Sequence, residues 1–403
     1  MMEGKRLIHR LRLKDFLSYG NAGVEIELQP LNVLIGPNAS GKSNLIEALG
    51  VLRAAPTGLA PYFRERGGIG EYIRRGEGTS RLAEIEAWVD CHDCLGGKPL
   101  RHSVELADMG QRLEVKSEAI SGPVYGLSSS AREIQHVYEL TRQDAGISAY
   151  RGGTSAREWI TLQRQDLKRD QSILSQRRDP LAFPELTHLA SQYERIELYQ
   201  EWTFGRRSRA RIASGADMPT DFLLPDASNL GLILHDLMQA SETRNTLLKH
   251  LKLFYDTAEF IPTKILSGAI QLFIDEGASG LVPAMRLSDG TLRYLSLLAI
   301  LCHPSPPPLI CIEEPELGLH PDIVPTVVDL LKEATQRTQV VVTTHSDALV
   351  SALSDQPESV IVCEAGIDGT SLRRLDREGL ATWLEKYSLG EVWRAGEIGG
   401  NRW

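Results

Sequence analysis

The sequence predicts an α/β fold with a mixed central sheet, an antiparallel β meander and a mostly helical insertion. Three observations carry this. Continuous apolar runs at 31–35 (LNVLI), 308–312 (PLICI) and 339–343 (QVVVT) read as strands buried on both faces. Each ends in a polar or glycine-containing turn, where sheets of this kind place ligands. Three alternating runs between about 81 and 118, punctuated by Gly, Asp and Pro, read as a meander.

The elements follow in order. Residues 6–13 and 24–28 alternate as half-buried strands do. After LNVLI comes the loop GPNASGKS, then NLIEALGVLRAA, with Leu45, Leu49 and Leu52 at helical spacing. From about 125 to 260 the chain is rich in Arg, Gln and Ser and is broken by Pro180, Pro184, Pro219 and Pro225. Its clearest amphipathic helix is 227–240, and no heptad run is long enough for an extended coiled coil. From 261 a polar loop enters an apolar helix (LSDGTLRYLSLLAILCH), a strand ends in acids (IEEPE), and a second strand ends in THS. A hairpin and a polar tail follow. The expected divisions are therefore 1–124, 125–260, 261–365 and 366–403.

Composition sets outer bounds. The chain has 403 residues, is 42% hydrophobic and carries a formal charge of −9, so a polyanion would need a local basic patch. No stretch approaches the roughly 18 apolar residues of a membrane span. The N-terminal run lacks an apolar signal core, and the five sparse cysteines fit a reducing compartment, so a cytoplasmic location is expected.

Gly36-x4-Gly41-Lys42-Ser43 has the spacing of a phosphate-cradling loop, with Pro37, Asn38, Ala39 and Ser40 between the glycines and Asn44 just after. Glycines let backbone N–H groups converge on a phosphate, and the helix N-terminus adds partial positive charge. Lys42 would neutralise β- and γ-phosphate oxygens of ATP, and Ser43 would ligate Mg²⁺. Glu313 would hold the same metal, and Glu314 would act as general base toward the attacking water. His345 is placed to hydrogen-bond the γ-phosphate. Ser288 and the amide of Gly290 form another anion site at a helix start, which makes sense if it serves a second chain's ATP.

Together these pieces resemble an ABC-type ATPase head of the RecF, SMC and OLD class, and more narrowly a bacterial RecF-like AAA family ATPase without a Toprim domain. GPNASGKS resembles the Walker A motif, LSDGT the signature, IEEPE the Walker B and THS the histidine switch; GLHP at 318–321 sits where the D-loop lies. The resemblance implies an ATPase whose two heads sandwich two ATP molecules, forming a homodimer that switches on hydrolysis in DNA repair or anti-phage defence. A separate effector such as a Toprim-like nuclease is a family-level partner. CEAGID at 363–368 superficially looks like a Toprim strand end, but too little chain follows it. Two departures stand out: Glu313 replaces the usual Asp, and no glutamine occupies an evident Q-loop, Gln111 lying in an expected hairpin. IRRGEG at 73–78 is similar to the arginine-bearing loop of SMC heads, which would bring Arg74 or Arg75 to nucleotide or DNA. Alternatives are a transporter's ATPase subunit, disfavoured by the insertion and the missing glutamine, and a module that binds ATP without hydrolysing it.

Two weaker signals remain. Cys91-His92-Asp93-Cys94 has the spacing of half a zinc site, but a hairpin tip is the favoured reading. Residues 155–215 hold eleven Lys or Arg and eight Asp or Glu, and Arg206, Arg207, Arg209 and Arg211 cluster near Trp202 and Phe204. That segment reads either as a nucleic-acid surface or as a solvated or partner-binding face.

Overall fold

A computed structural model describes residues 4–75, 81–91, 99–122, 135–141, 145–150 and 157–400. The central sheet has six strands in the order Glu197–Tyr199, Leu309–Glu313, Gln339–Thr343, Leu31–Ile35, Val360–Gly366 and Gly369–Arg374. The first five run parallel and the last returns antiparallel as the second arm of a hairpin. Glu313 is level with Thr343, and Thr343 with Leu34, so these strands finish at one edge.

The continuous apolar runs are explained by two cores, one on each face of this sheet. Leu34, Cys311, Val341 and Ile361 belong to the first core. Their neighbours Val33, Ile35, Ile310, Ile312, Val340 and Val342 belong to the second. A strand's period of two thus feeds both cores. Helix Lys42–Ala54 fills the first core with Leu45, Ile46, Leu49 and Leu52. Helix Asp289–Leu301 lies in the second and is buried at every position from Thr291 to Leu301, which is why its sequence is largely apolar all round, with Arg293 an exception.

The first core is closed by an eight-stranded antiparallel sheet running Val24–Glu27, Ile8–Lys14, Leu82–Val89, Leu100–Asp108, Leu113–Gly122, Gln135–Leu140, Ala145–Tyr150, Arg157–Leu162. Its last three strands correct the expectation of a mostly helical insertion over 125–260. Helices appear there only later, at Ile173–Gln176, Pro184–Glu194, Leu230–Leu237 and Ser241–Phe254. The three strands are six residues each, and Trp159 and Ile160 lie largely exposed, so the inside–outside alternation that marks a strand is weak. The same segment donates the edge strand Glu197–Tyr199 to the central sheet, so it is part of the body built on that sheet and not merely inserted into it.

A buried polar cluster ties the antiparallel sheet to the segment that follows it. His102 and Glu118 are fully buried, 3.1 Å apart, and His102 Nδ1 lies 3.1 Å from the Tyr193 hydroxyl. Glu118 accepts from the Ser172 hydroxyl and, at 2.8 Å, from the Ile173 amide. Glu118→Ala would strand all three partners without water, so a loss of about 3–5 kcal/mol is expected. Urea unfolding checks this: the midpoint should fall at unchanged slope, and an unmoved midpoint would show the cluster holds nothing.

Candidate active site

The buried strand Leu31–Ile35 runs straight into the phosphate loop. Gly36 and Gly41 have φ of 148° and 96°, and Ala39 has φ of 63°. A Cβ on Gly36 would collide with the Cys363 carbonyl, and one on Gly41 with the Thr370 hydroxyl. The loop is therefore pressed against the 360–374 hairpin, and glycine is required by space as well as by dihedral angle. Tyr19 donates to the Gly41 carbonyl at 2.9 Å, and Thr370 to the Ser40 carbonyl at 3.0 Å. Ser18 Oγ receives the Asn44 amide at 2.7 Å and lies 2.7 Å from Thr370 Oγ1. Lys42 donates to the carbonyls of Gly36 and Pro37, both at 2.8 Å. Burial lowers its pKa, opposed by Cys363, Glu314 and Glu313. Its ammonium group is held across the loop by neutral acceptors that anionic phosphate oxygens outcompete.

Ser43 begins the helix beside Glu313, at the end of the neighbouring-but-one strand. Burial raises the Glu313 pKa; the Ser43 hydroxyl opposes that, while Glu47 and Glu314 add to it. Its Oε1 is buried without a hydrogen-bond partner. A buried, orphaned carboxylate oxygen next to a hydroxyl is the hard-oxygen donor set that suits Mg²⁺. The Glu313 carboxylate and Ser43 Oγ would hold the ion, which would neutralise charge on phosphate oxygens.

Glu314 turns out of the strand with φ of 45°, a left-handed conformation uncommon for a residue with a Cβ. Its amide donates to the Thr343 carbonyl at 2.9 Å, and its carbonyl accepts from Arg293 Nη2 at 2.6 Å. These bonds aim its half-exposed carboxylate at His345, whose Nε2 is 3.8 Å away. Burial lowers the His345 pKa, as does Lys42, while Glu314 opposes. The imidazole is accordingly neutral at pH 7 and can accept or donate a hydrogen bond.

A glutamine also stands at this edge of the sheet. Gln200 directly follows the edge strand Glu197–Tyr199, which is paired in parallel with the Glu313 strand. Its carboxamide donates to Glu47 Oε1 at 2.9 Å. Glu47 sits one turn beyond Ser43 and takes the hydroxyls of Tyr62 and Tyr72 on its other oxygen, at 2.8 and 2.9 Å. Burial and then Glu47 push both tyrosine pKa values up, so both remain donors. A three-residue strand in a polar segment gives almost no hydrophobic signal. Gln111 lies in the expected hairpin, in an exposed turn capped by Asp108.

Ser288 caps helix Asp289–Leu301, accepting from the Thr291 amide at 3.0 Å. Gly290 lies against the Gly318 carbonyl, where a Cβ would approach to 2.8 Å. The 287–291 and 318–321 segments thus approach each other closely, and Ser288 presents a helix N-terminus at the surface.

A family model described as "AAA domain, putative AbiEii toxin, Type IV TA system" matches residues 31–87 and 122–351. The chain belongs to this AAA-domain family. The fold of this AAA-domain protein is that of an ABC-type head. It is similar to the crystal structure of the SmcHead bound to the C-winged helix domain of ScpA (16% identity, 93% of this chain and 99% of that one, TM-score 0.57). It is similar also to the Smc head domain with an extended coiled coil bound to the C-terminal domain of ScpA derived from Pyrococcus furiosus (14%, 94% and 99%, TM-score 0.56). No helix among the described residues is long and apolar enough to cross a membrane.

Other expected residues of the AAA-domain protein take different places. Arg74 is engaged by the carbonyls of Ile367 and Asp368, and Arg75 pairs with Glu71 at 2.6 Å; both line a cleft shared with Arg64, Arg81, Arg112 and Arg169. Trp202, Phe204 and Arg211 do not form an open basic platform. Trp202 donates to the Glu313 carbonyl at 3.1 Å, and Arg211 holds the carbonyls of Leu287 and Met285 and the side chain of Asp289. Arg206, Arg207 and Arg209 remain exposed. Cys91 is buried and His102 is committed to Glu118 and Tyr193, while His92, Asp93 and Cys94 lie outside the described residues.

Proposed function

We propose that this protein hydrolyses ATP as a homodimer, with each ATP gripped by the Gly36–Ser43 loop of one chain and by Ser288 and Gly290 of the other. The observation behind it is the convergence of Lys42, Ser43, Glu313, Glu314, His345 and Gln200 at one edge of one sheet. The loop amides and Lys42 would bind the β- and γ-phosphates. Glu314 would take a proton from a water as its oxygen attacks the γ-phosphorus. The bond to the β,γ-bridging oxygen breaks, and its electron pair leaves with ADP. His345 would hydrogen-bond the γ-phosphate, and Gln200, exchanging its bond to Glu47, would hold the attacking water. Catalysis is positioning and charge neutralisation, with no covalent intermediate.

As its wider role, we infer a switch acting on nucleic acid in DNA repair or anti-phage defence, working through a separate effector such as a nuclease. A cleft of about 1420 Å³ supports the nucleic-acid part; six arginines line it, at 64, 74, 75, 81, 112 and 169, against four acids. The solved Smc heads, bound to a domain of ScpA, support the use of this fold with a separate protein. Gln200 removes one of the two arguments against a transporter subunit. The likeness to Smc heads favours the switch.

Ser288→Arg tests the composite site. The substitution costs one helix cap, about 1 kcal/mol, and leaves the loop at 36–43 untouched. ATP should still bind, while ATP-dependent dimers in analytical ultracentrifugation and steady-state turnover should both disappear. Turnover at the parental rate would rule out a site shared between chains.

A further inference from the structure

The aromatic and basic run at 199–211 is not absorbed by ATP binding itself, yet it touches both halves of the machinery. Tyr199, Trp202 and Phe204 form a stack, with ring centroids 5.5 and 5.8 Å apart. The Arg293 guanidinium lies over Trp202 and Phe204, at 5.0 and 5.9 Å from their centroids. From there Arg293 donates to the Glu314 carbonyl at 2.6 Å, and Trp202 to the Glu313 carbonyl at 3.1 Å. The two carbonyls clamped are those of the two site acids. A few residues on, the Gly205 amide donates to Asp289 at 2.9 Å, and Arg211 holds Leu287 and Asp289. These residues flank Ser288 on either side.

Arg293 is itself in the second turn of the helix that begins at Ser288. It is 4% exposed, and its Nε–H is buried with no acceptor. A buried guanidinium is a costly way to fill a core, and an apolar side chain of similar size would stabilise the fold at least as well. Cation–π contact, one carbonyl and the nearby carboxylates of Glu316 and Glu314 offset that cost only in part. Its charge and planar fork are explained by what they grip, a backbone carbonyl at a left-handed residue.

We infer that Arg293, stacked on Trp202 and Phe204, is a positioning residue that ties the aim of Glu314 to the engagement of its own chain's Ser288–Gly290 segment with the partner. When a partner's phosphate draws on that segment, helix Asp289–Leu301 and the 199–211 strap carry the displacement to the carbonyls of Glu313 and Glu314. One chain's hydrolytic acid is thereby set by the occupancy of the other site. The inference rests on the composite ATPase reading above.

Arg293→Met, Arg293→Lys and Trp202→Phe test it in the full chain. Arg293→Met should lower kcat about 100-fold with KM for ATP within about twofold, since only the aim of Glu314 is lost. Arg293→Lys should recover about a tenth of the parental rate, keeping charge without the planar fork. Trp202→Phe keeps the stack but loses one donor, and should lower kcat about tenfold. In Glu314→Gln protein, ATP-driven dimerisation should shift the emission that Trp202→Phe removes. Adding Arg293→Met should abolish that shift while dimers still form. Parental kcat in Arg293→Met, or a raised KM at unchanged kcat, would overturn the inference while leaving the ATPase intact. If Glu314→Gln protein neither bound ATP nor dimerised, the composite-site reading would fail, and this one with it.

Discussion

Replacing Glu314 by glutamine is expected to lower ATP turnover about 1000-fold while leaving ATP affinity within a few-fold. The carboxylate is half exposed, 3.8 Å from His345, and anchored through its own backbone, so its loss removes a base and little structure. General bases contribute about 100- to 10,000-fold. Glutamine keeps the size and a hydrogen-bonding oxygen but cannot accept the proton. The variant should therefore stall with ATP bound and accumulate as a dimer, visible as a doubled mass in light scattering. Parental turnover would place the base elsewhere. Glu316 is a further acid at the same strand ends, bonded to Thr344 and the His345 amide, and burial raises its pKa.

Lys42→Ala is expected to have the larger effect on binding. Lys42 donates to two loop carbonyls, and burial opposes its charge. The substitution should leave the unfolding temperature nearly unchanged without nucleotide. With phosphate the loss includes a charge-assisted contact of about 1.5–3 kcal/mol, so ATP affinity should fall about 100-fold. Thermal unfolding checks both halves. Saturating ATP at about 100 times Kd should stabilise the parental protein by about 2.7 kcal/mol, and the same concentration should barely move Lys42→Ala. Equal stabilisation of the two would remove Lys42 from the site.

The parts of the site legible in the sequence are those whose signal is local. Gly36 to Ser43, Glu313, Glu314 and His345 each follow an apolar strand within a residue or two, so spacing alone exposes them. Ser288 was legible for the same reason, as a cap before a helix. Gln200 was hidden because its strand has three residues and makes sense only once paired with 310–312. The strands at 135–162 were hidden by polar composition, and their sheet neighbours explain them better than their own periodicity. Trp202 and Arg293 stand 91 positions apart, and no pattern in either segment announces that one ring carries the other's guanidinium. Of the basic residues near Trp202, Arg206, Arg207 and Arg209 are exposed, whereas Arg211 points inward to Leu287, a difference that charge alone does not encode.

The order of strands in the central sheet sets a timetable for synthesis. Leu31–Ile35 lies between Gln339–Thr343 and Val360–Gly366, and so waits for about 300 residues to be made before either neighbour exists. At about 5–20 residues per second this is roughly 15–60 s. Throughout it, a five-residue apolar strand and the glycine loop behind it have no partner of their own sheet. Thr370, which steadies Ser40, arrives later still. Nucleotide therefore cannot template the early folding of this chain. A nascent polypeptide halted before the hairpin at 360–374 should present LNVLI to chaperones, and the capacity to hold ATP should emerge abruptly once that hairpin has been made.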